Sequence, residues 1–393
     1  MKQFPFTIVH GLGPAKKTNC REENMIKVLA YYLPQYHETA ENNEWWGEGF
    51  TEWTSVKESK PLYCGHYQPT VPLNGNYYDL TDINSLKWQA ELANKYSVYG
   101  FCIHHYWFKG KQLLQKPAEL LLENRDIDIH YCFSWANESW TRTWNRGNGN
   151  SWNVKRDSDT PKTGDGMLML QEYGSWDDWE KHFNYLLPFF KDERYIKEEN
   201  KPMLLIYHPE KIQCLHSMLK CWDKLAKSNG FSGIYVVATN NLKLQDENLA
   251  ANVIFEPVYY FNNGSKFFNE MMFDLVSYRR KRKLTSILPM SYSRCWKNIL
   301  NRSYESIRKT YYGCMVSFDK TPREGKNATI YFGANPRKFE KYFRKLVKMS
   351  NDHENEFVFI NAWNEWGEGC TLEPNEKYKY GYLSAVSNAL KGC

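Results

Sequence analysis

Eight short runs rich in apolar, β-branched and aromatic residues punctuate this chain: Val28–Leu33, Tyr99–Tyr106, Asp128–Trp135, Met203–His208, Ile234–Thr239, Val253–Pro257, Gly313–Phe318 and Glu356–Trp363. Several are almost continuously apolar, as parallel strands covered on both faces must be. Between them lie stretches of helical spacing. Asn84–Ser97 places Leu86, Ala90, Leu92, Ala93 and Tyr96 on one face, and Trp176–Phe190, Glu210–Ser228, Asn269–Arg282, Arg337–Met349 and Tyr380–Leu390 behave alike. Eight strands alternating with helices over more than 330 residues predict an α/β fold, a (β/α)8 TIM barrel. A doubly wound sheet is the alternative, but it does not naturally supply eight such units. No G-x-G-x-x-G turn follows the first strand.

Two connections are too long to be turns, those after the first and third strands. Both are rich in aromatic residues, which argues against disorder. Of the fifteen Trp, eleven fall at or just after strand C-termini: Trp45, Trp46, Trp53, Trp107, Trp135, Trp140, Trp144, Trp152, Trp296, Trp363 and Trp366. In a barrel these connections open on the face where active sites lie. Tryptophan offers a flat apolar face to a sugar ring and an N–H at its edge, although about half of these residues are expected simply to pack beneath the loops.

Polar residues crowd the same end. The strand ends carry Tyr32, Gln35 and His37; His104, His105 and Tyr106; Asn137 and Glu138; Glu256; and Asp319 with Arg323. The last strand runs into Trp363, Asn364, Glu365, Trp366 and Glu368, with Glu373 beyond. Glu365 and Glu368 stand three apart. Paired carboxylates beside aromatics suit glycosidic chemistry, in which one group protonates the leaving oxygen and the other supplies or generates a nucleophile. Taken singly, each has a plainer reading: an E-x-x-E caps a helix start, and a strand His is most often a hydrogen-bonded structural residue. A zinc centre built on His37, His104 and His105 competes, but neighbours on a strand point to opposite faces, so no metal site is expected.

The charge balance, 51 basic against 45 acidic residues for a net +6, is too modest to imply a nucleic-acid partner, and the one dense basic run, Arg279–Lys283, reads as the solvated end of a helix. No apolar run of about 18 residues exists to span a membrane. Lys2 is followed by no apolar leader segment. The ten cysteines follow no zinc spacing, and Cys102, Cys132 and Cys314 sit inside apolar runs as buried thiols, so a reducing cytoplasm is expected.

The strings Ala30–His37, Asn43–Trp53, Gly65–Pro69, His104–Phe108, Trp135–Trp140 and Asn361–Gly369 closely resemble the WbsX-type proteins of bacterial polysaccharide gene clusters, themselves similar to family 99 glycoside hydrolases. The resemblance runs from Lys27 to the C-terminus. It implies an N-terminal extension over residues 1–24 and one (β/α)8 catalytic domain over 25–393. It further implies a retaining, endo-acting hydrolase of α-mannoside-like glycans that needs no cofactor. Glu365 would be the base that helps the sugar's 2-hydroxyl displace the leaving group, and Glu368 the acid/base. The sugar-binding set would be Tyr32, Gln35, His37, Trp45, Trp46, Glu52, Trp53, His104, His105, Tyr106, Trp135, Asn137, Glu138, Trp140, Glu256, Asp319, Trp363, Asn364, Trp366 and Glu373. The hydrolase family carries His between its two Glu-containing steps, where this chain has Gly367. A polysaccharide glycosyltransferase is the second reading and leans on Arg294 and Arg323 to hold phosphate. A non-catalytic carbohydrate-binding barrel is the third.

Overall fold

The computed structural model describes residues 26–141, 167–264, 278 and 287–392. The N-terminal extension, Trp144, Trp152 and, apart from Tyr278, the expected helix and basic run over 269–283 lie outside the described residues. The barrel strands are β1 (Lys27–Tyr32), β2 (Gly100–Phe108), β3 (His130–Trp135), β4 (Lys201–Ile206), β5 (Tyr235–Thr239), β6 (Leu249–Val253), β7 (Lys309–Met315) and β8 (Phe357–Asn361). Each pairs in parallel with the next, and β8 pairs with β1, so the sheet closes and leaves no edge.

The strand read from the sequence as Val253–Pro257 is displaced. β6 ends at Val253, and the apolar Ile254-Phe255 that follows is its exit. The real strand includes Asn252, whose buried amide donates to Ser306 Oγ at 2.8 Å, a polar residue that a purely apolar pattern passes over.

Helices pack outside the barrel: α1 (Ile83–Lys95), α2 (Lys116–Glu123), α3 (Trp176–Phe190), α4 (Leu215–Ser228), α5 (Tyr292–Asn301), α6 (Pro336–Asp352) and α7 (Gly381–Lys391). α6 shows how local sequence sets them. Asn335 caps its first turn by accepting from Lys338 N, Pro336 occupies the position where no N–H is needed, and Phe339, Phe343, Leu346 and Val347 form the buried stripe. α2 and α5 were not expected from the sequence. No described helix is long and apolar enough to cross a membrane.

Inside the barrel, Tyr31 meets Phe255 edge-on at 4.7 Å and Phe359 at 5.8 Å, and Phe359 meets Tyr311 at 6.0 Å. Cys102, Cys132 and Cys314 are buried free thiols, and burial pushes those of Cys102 and Cys314 well up. The long connection after β1 folds back over the barrel's C-terminal mouth through the short helices Ala40–Trp46 and Glu52–Glu58. Glu52 N donates to Gln35 O at 3.1 Å, and Leu80 N to Tyr36 O at 3.1 Å, which fixes both ends of that fold-back to the exit of β1.

Candidate active site

The exit of β8 is pinned to that of β1 before the first carboxylate is reached. Trp363 N donates to Tyr31 O at 2.7 Å. The Asn364 side chain accepts from Leu33 N at 2.7 Å and donates to Leu33 O at 3.0 Å. Tyr36 Oη donates to the Asn364 carbonyl and accepts from Trp366 N. Asn364–Glu365 then pairs antiparallel with Cys370–Thr371 across a single 3₁₀ turn, Trp366–Glu368, which ends at Gly369 with φ 56°. Three residues per turn brings i and i+3 onto one side, so Glu365 and Glu368 face the same space.

Arg323 joins them. It lies on the short helix Thr321–Glu324 after β7. Its Nη2 donates to Glu365 Oε2 at 2.8 Å, its Nη1 to Glu368 Oε1 at 2.7 Å, and its Nε to Glu52 Oε1 at 2.8 Å. One guanidinium thus separates the two carboxylates of the turn. Lys320 Nζ adds a second cation to Glu368 at 3.3 Å and reaches Glu324 at 3.6 Å. The segment carrying both cations is held to the turn by Asp319 N donating to Glu368 O and Ser317 Oγ to Gly369 O, both at 2.6 Å.

Gly367 is required here. A Cβ at this position would lie 1.8 Å from Glu52 Oε1 and 2.8 Å from Arg323 Nε. The His implied by the resemblance has no room where this ion pair sits.

The charges do not balance, and the environment divides the two carboxylates. Burial raises Glu365 to about 7; Arg323 opposes this, while Glu368 and Glu52 add to it. Burial also pushes Glu368 up, but Lys320 and Arg323 outweigh it and hold Glu368 below the usual carboxylate range. Glu365, which touches one cation, therefore holds a proton more tightly than Glu368, which touches two.

These groups border a cleft of about 1340 Å³ at the C-terminal ends of the strands. Of the residues expected to bind sugar, the structure brings to this cleft Gln35, Trp46, His104, Tyr106, Asn137, Glu138 and Trp140, together with Glu365 and Glu368. Burial lowers His104 to about 4, so it meets a ligand as neutral imidazole. Burial raises Tyr106 and Tyr207, which keep their protons as donors. Glu138 is held ionised by His208 at 2.7 Å and Lys211 at 3.1 Å.

The remaining expected residues do not reach the cleft. Tyr32 donates to Gln89 at 2.7 Å, and Gln89 to Glu373 at 2.7 Å; Tyr78 and Trp366 Nε1 also donate to Glu373, at 2.8 and 2.6 Å. That set is a buried clamp behind the turn. Trp53 donates to Tyr78 O at 2.7 Å beneath it, and Trp363 packs on Phe101 in the core. Asn364 is consumed in holding β1, and His37 is buried. Trp45 packs against Trp140 and leaves the cleft to its neighbour Trp46. His105 and Trp135 point outward to His182, as alternation on a strand demands, so His37, His104 and His105 are not brought together as a zinc set. Glu256 pairs with Arg302 at 2.8 Å and caps Tyr260 N. Asp319 accepts from His66 at 2.8 Å and Gln68 at 3.1 Å on the far side of its strand exit. Glu52 lies wholly buried behind Arg323. Among the described residues no cluster of three His, Cys, Asp or Glu is placed to hold a metal.

Sequence reading missed Lys320, Lys211, Tyr207, Phe255 and Phe318 as cleft residues; it placed Arg323 at this end of the barrel, with a phosphate role only under the transferase reading. Tyr207-His208 at the end of β4 is the same polar-aromatic signal used at the other strand ends.

A closed parallel barrel of eight strands with helices outside it, carrying two carboxylates on the turn after its last strand, defines the class of fold, a (β/α)8 barrel. The GH99 endo-alpha-mannosidase from Bacteroides thetaiotaomicron is similar over 93% of this chain and 96% of its own, with a TM-score of 0.52 and 12% identity. A solved glycoside hydrolase-like protein covers 97% of both chains with a TM-score of 0.55 and 12% identity. At such identities the likeness establishes the fold. The family model described as Glycosyltransferase WbsX matches residues 28–386, and the chain belongs to that family. Two curated relatives, both named uncharacterized protein WxcX and from strains of Xanthomonas campestris pv. campestris, are each 28% identical over 92% and 96% of this chain. They match over 49% and 51% of their own length, so the chain spans about half the length of these relatives.

Proposed function

We propose that this domain cleaves internal α-linked bonds of an oligo- or polysaccharide with retention, using Glu365 and Glu368 and the substrate's own 2-hydroxyl. The observation that carries this is the pair itself: two carboxylates on one 3₁₀ turn, facing one cleft, bridged by a single guanidinium and split in proton affinity. The gap between their bonded oxygens is bounded by two hydrogen bonds, 2.7 and 2.8 Å, and one guanidinium width. A cleft of about 1340 Å³ exceeds the usual range for a small-molecule pocket and has room for several sugars. An α-mannoside-like glycan is the substrate class, on the analogy of the GH99 neighbour.

The resting charges revise the roles that the resemblance implies. Glu368, already ionised, draws the proton from the 2-hydroxyl. The freed oxygen attacks the anomeric carbon from the face opposite the leaving group, and Glu365 gives its proton to the leaving oxygen. Water then opens the strained intermediate, with Glu365 taking its proton and Glu368 returning one to the 2-oxygen, so two inversions give retention.

A transferase is the second reading, favoured by the family's description. It requires a cation for a donor phosphate, and of the two expected, Arg294 and Arg323, the latter is committed to three carboxylates. Paired aryl and alkyl α-mannosides test the proposal. Glu365→Gln should spare aryl substrates with good leaving groups and abolish the alkyl ones, whereas Glu368→Gln should lose both by about 10²-fold or more. The opposite pattern restores the roles implied by the resemblance. Wild-type hydrolysis by both variants would overturn the hydrolase reading.

A further inference from the structure

Glu52 belongs to neither partner of the pair and does not touch the cleft. It starts the helix Glu52–Glu58 in the long connection after β1, is 0% exposed, and bonds Arg323 through Oε1 alone; its Oε2 is buried without a hydrogen-bond partner. Its carboxyl occupies the space that a side chain at position 367 would need. Burying a carboxylate this deeply, with one oxygen unsatisfied, is costly unless its charge has a use.

We infer that Glu52 is a positioning residue: by holding Arg323 at Nε it aims the two Nη groups at Glu365 and Glu368, and its buried negative charge keeps the shared proton on Glu365. This rests on the pair being the reacting groups proposed above, but its electrostatic content does not depend on turnover. Arg323 and Glu368 face Glu52 from the two elements packed on its helix, and burial raises Glu52 itself. Glu365 is faced by Arg323, Glu368 and Glu52, and Glu365 in turn bears on Tyr36, Tyr106, Tyr207 and Cys370. The tyrosines and the thiol are raised by burial and neutral at pH 7, and Lys320 acts through Glu368. Glu52 is thus a charge near Glu365 that can be deleted while the bond to Nε is kept. Glu52→Gln does this, because the amide oxygen still accepts from Arg323. With the like charge gone, Arg323 acts on Glu365 less opposed, and Glu365 should release its proton at lower pH.

The experiment is a carboxyl titration of protein labelled with ¹³C at the Glu side-chain carboxyl, the Glu365 resonance being identified by its loss in Glu365→Gln. In the wild type it should titrate near 7. In Glu52→Gln its proton affinity should fall about tenfold, one pKa unit. Glu52→Asp, which keeps the charge, should stay near the wild-type value. A merely structural Glu52 would lower the melting temperature in both variants and leave the Glu365 midpoint in place, and that result overturns the inference. If Glu52→Gln does not fold, Glu52→Ser is titrated under the same rule. Because no substrate is used, an unmoved midpoint sinks this inference alone, while the leaving-group kinetics judge the hydrolase proposal separately.

Discussion

Glu365 and Glu373 make an instructive pair. Both follow β8, both are buried, and burial raises both to about 7. Their surroundings differ. Glu373 is 1% exposed and takes hydrogen bonds from Tyr78, Gln89 and Trp366, all neutral donors, none of which opens on the cleft. Glu365 faces the cleft and shares a cation with two other carboxylates, so burial and like charge together raise its proton affinity. A raised proton affinity by itself therefore does not mark a reacting group. Access to the cleft and an unbalanced charge count are what make Glu365 the proposed reacting group, whereas Glu373, with satisfied neutral partners, is a fastener.

The comparison breaks most visibly in turnover. Glu365→Gln and Glu368→Gln should each cost about 10²-fold or more on alkyl glycosides. Glu373→Gln should retain turnover within a few-fold per folded molecule, and an equal loss there would erase the distinction. Stability should show the reverse order. Glu373→Ala strands three buried donors, costing about 3 kcal/mol or more at roughly 1–3 kcal/mol each. That lowers the melting temperature by about 4 °C or more, whereas Glu365→Gln should move it by about 2 °C or less.

The pH dependence of stability is a smaller effect with a definite sign. Glu373 has its folded value raised to about 7 from 4.5, so the folded chain binds more protons between those limits. Its contribution is fully present below about 4.5 and is lost as pH rises through about 7. His104 and His105 act oppositely. Burial lowers them to about 4 and about 3 from 6.5, so stability is lost as pH falls below 6.5. The difference in melting temperature between wild type and Glu373→Gln, followed from pH 5 to 8, isolates the first term, and should shift against the wild type with rising pH. The smallest effect is expected at the cleft wall. Trp46→Ala should weaken binding of an α-mannan oligosaccharide about tenfold, ~1.4 kcal/mol, with the melting temperature unchanged.

The barrel was legible because burial on both faces writes apolar runs directly into the chain, and six of the eight strands fall largely where those runs are, while β7 begins four residues before its run. β6 was misplaced because its buried Asn252 is satisfied by Ser306, a partner that no local pattern discloses. The closeness of Glu365 and Glu368 was legible because both lie on one turn. Arg323 was legible as a polar residue at its strand end, but not its bonds to Glu52, 271 positions away, and Glu365, 42 away. The tryptophans misled in a physical way. Trp46 and Trp140 line the cleft, but Trp53 and Trp366 send their N–H groups to Tyr78 O and Glu373 and serve as packing beneath it. A strand end draws aromatics for both purposes, and the sequence records only their presence.

Gly367 has one more consequence, which concerns the order in which substitutions can be accepted. A methyl group there would collide with the carboxyl oxygen of Glu52 and press on Arg323 Nε, so Gly367→Ala should break their ion pair in this chain and be better tolerated once Glu52 has been shortened to Ser and Arg323 can shift. Positions 52, 323 and 367 therefore form a single epistatic unit despite their distance in sequence. A side chain at 367 and the Glu52–Arg323 bond exclude each other in this arrangement. The small residue in the turn thus acts as a historical lock: it preserves the arginine-bridged version of the cleft against one-step conversion to any version with a side chain at that place.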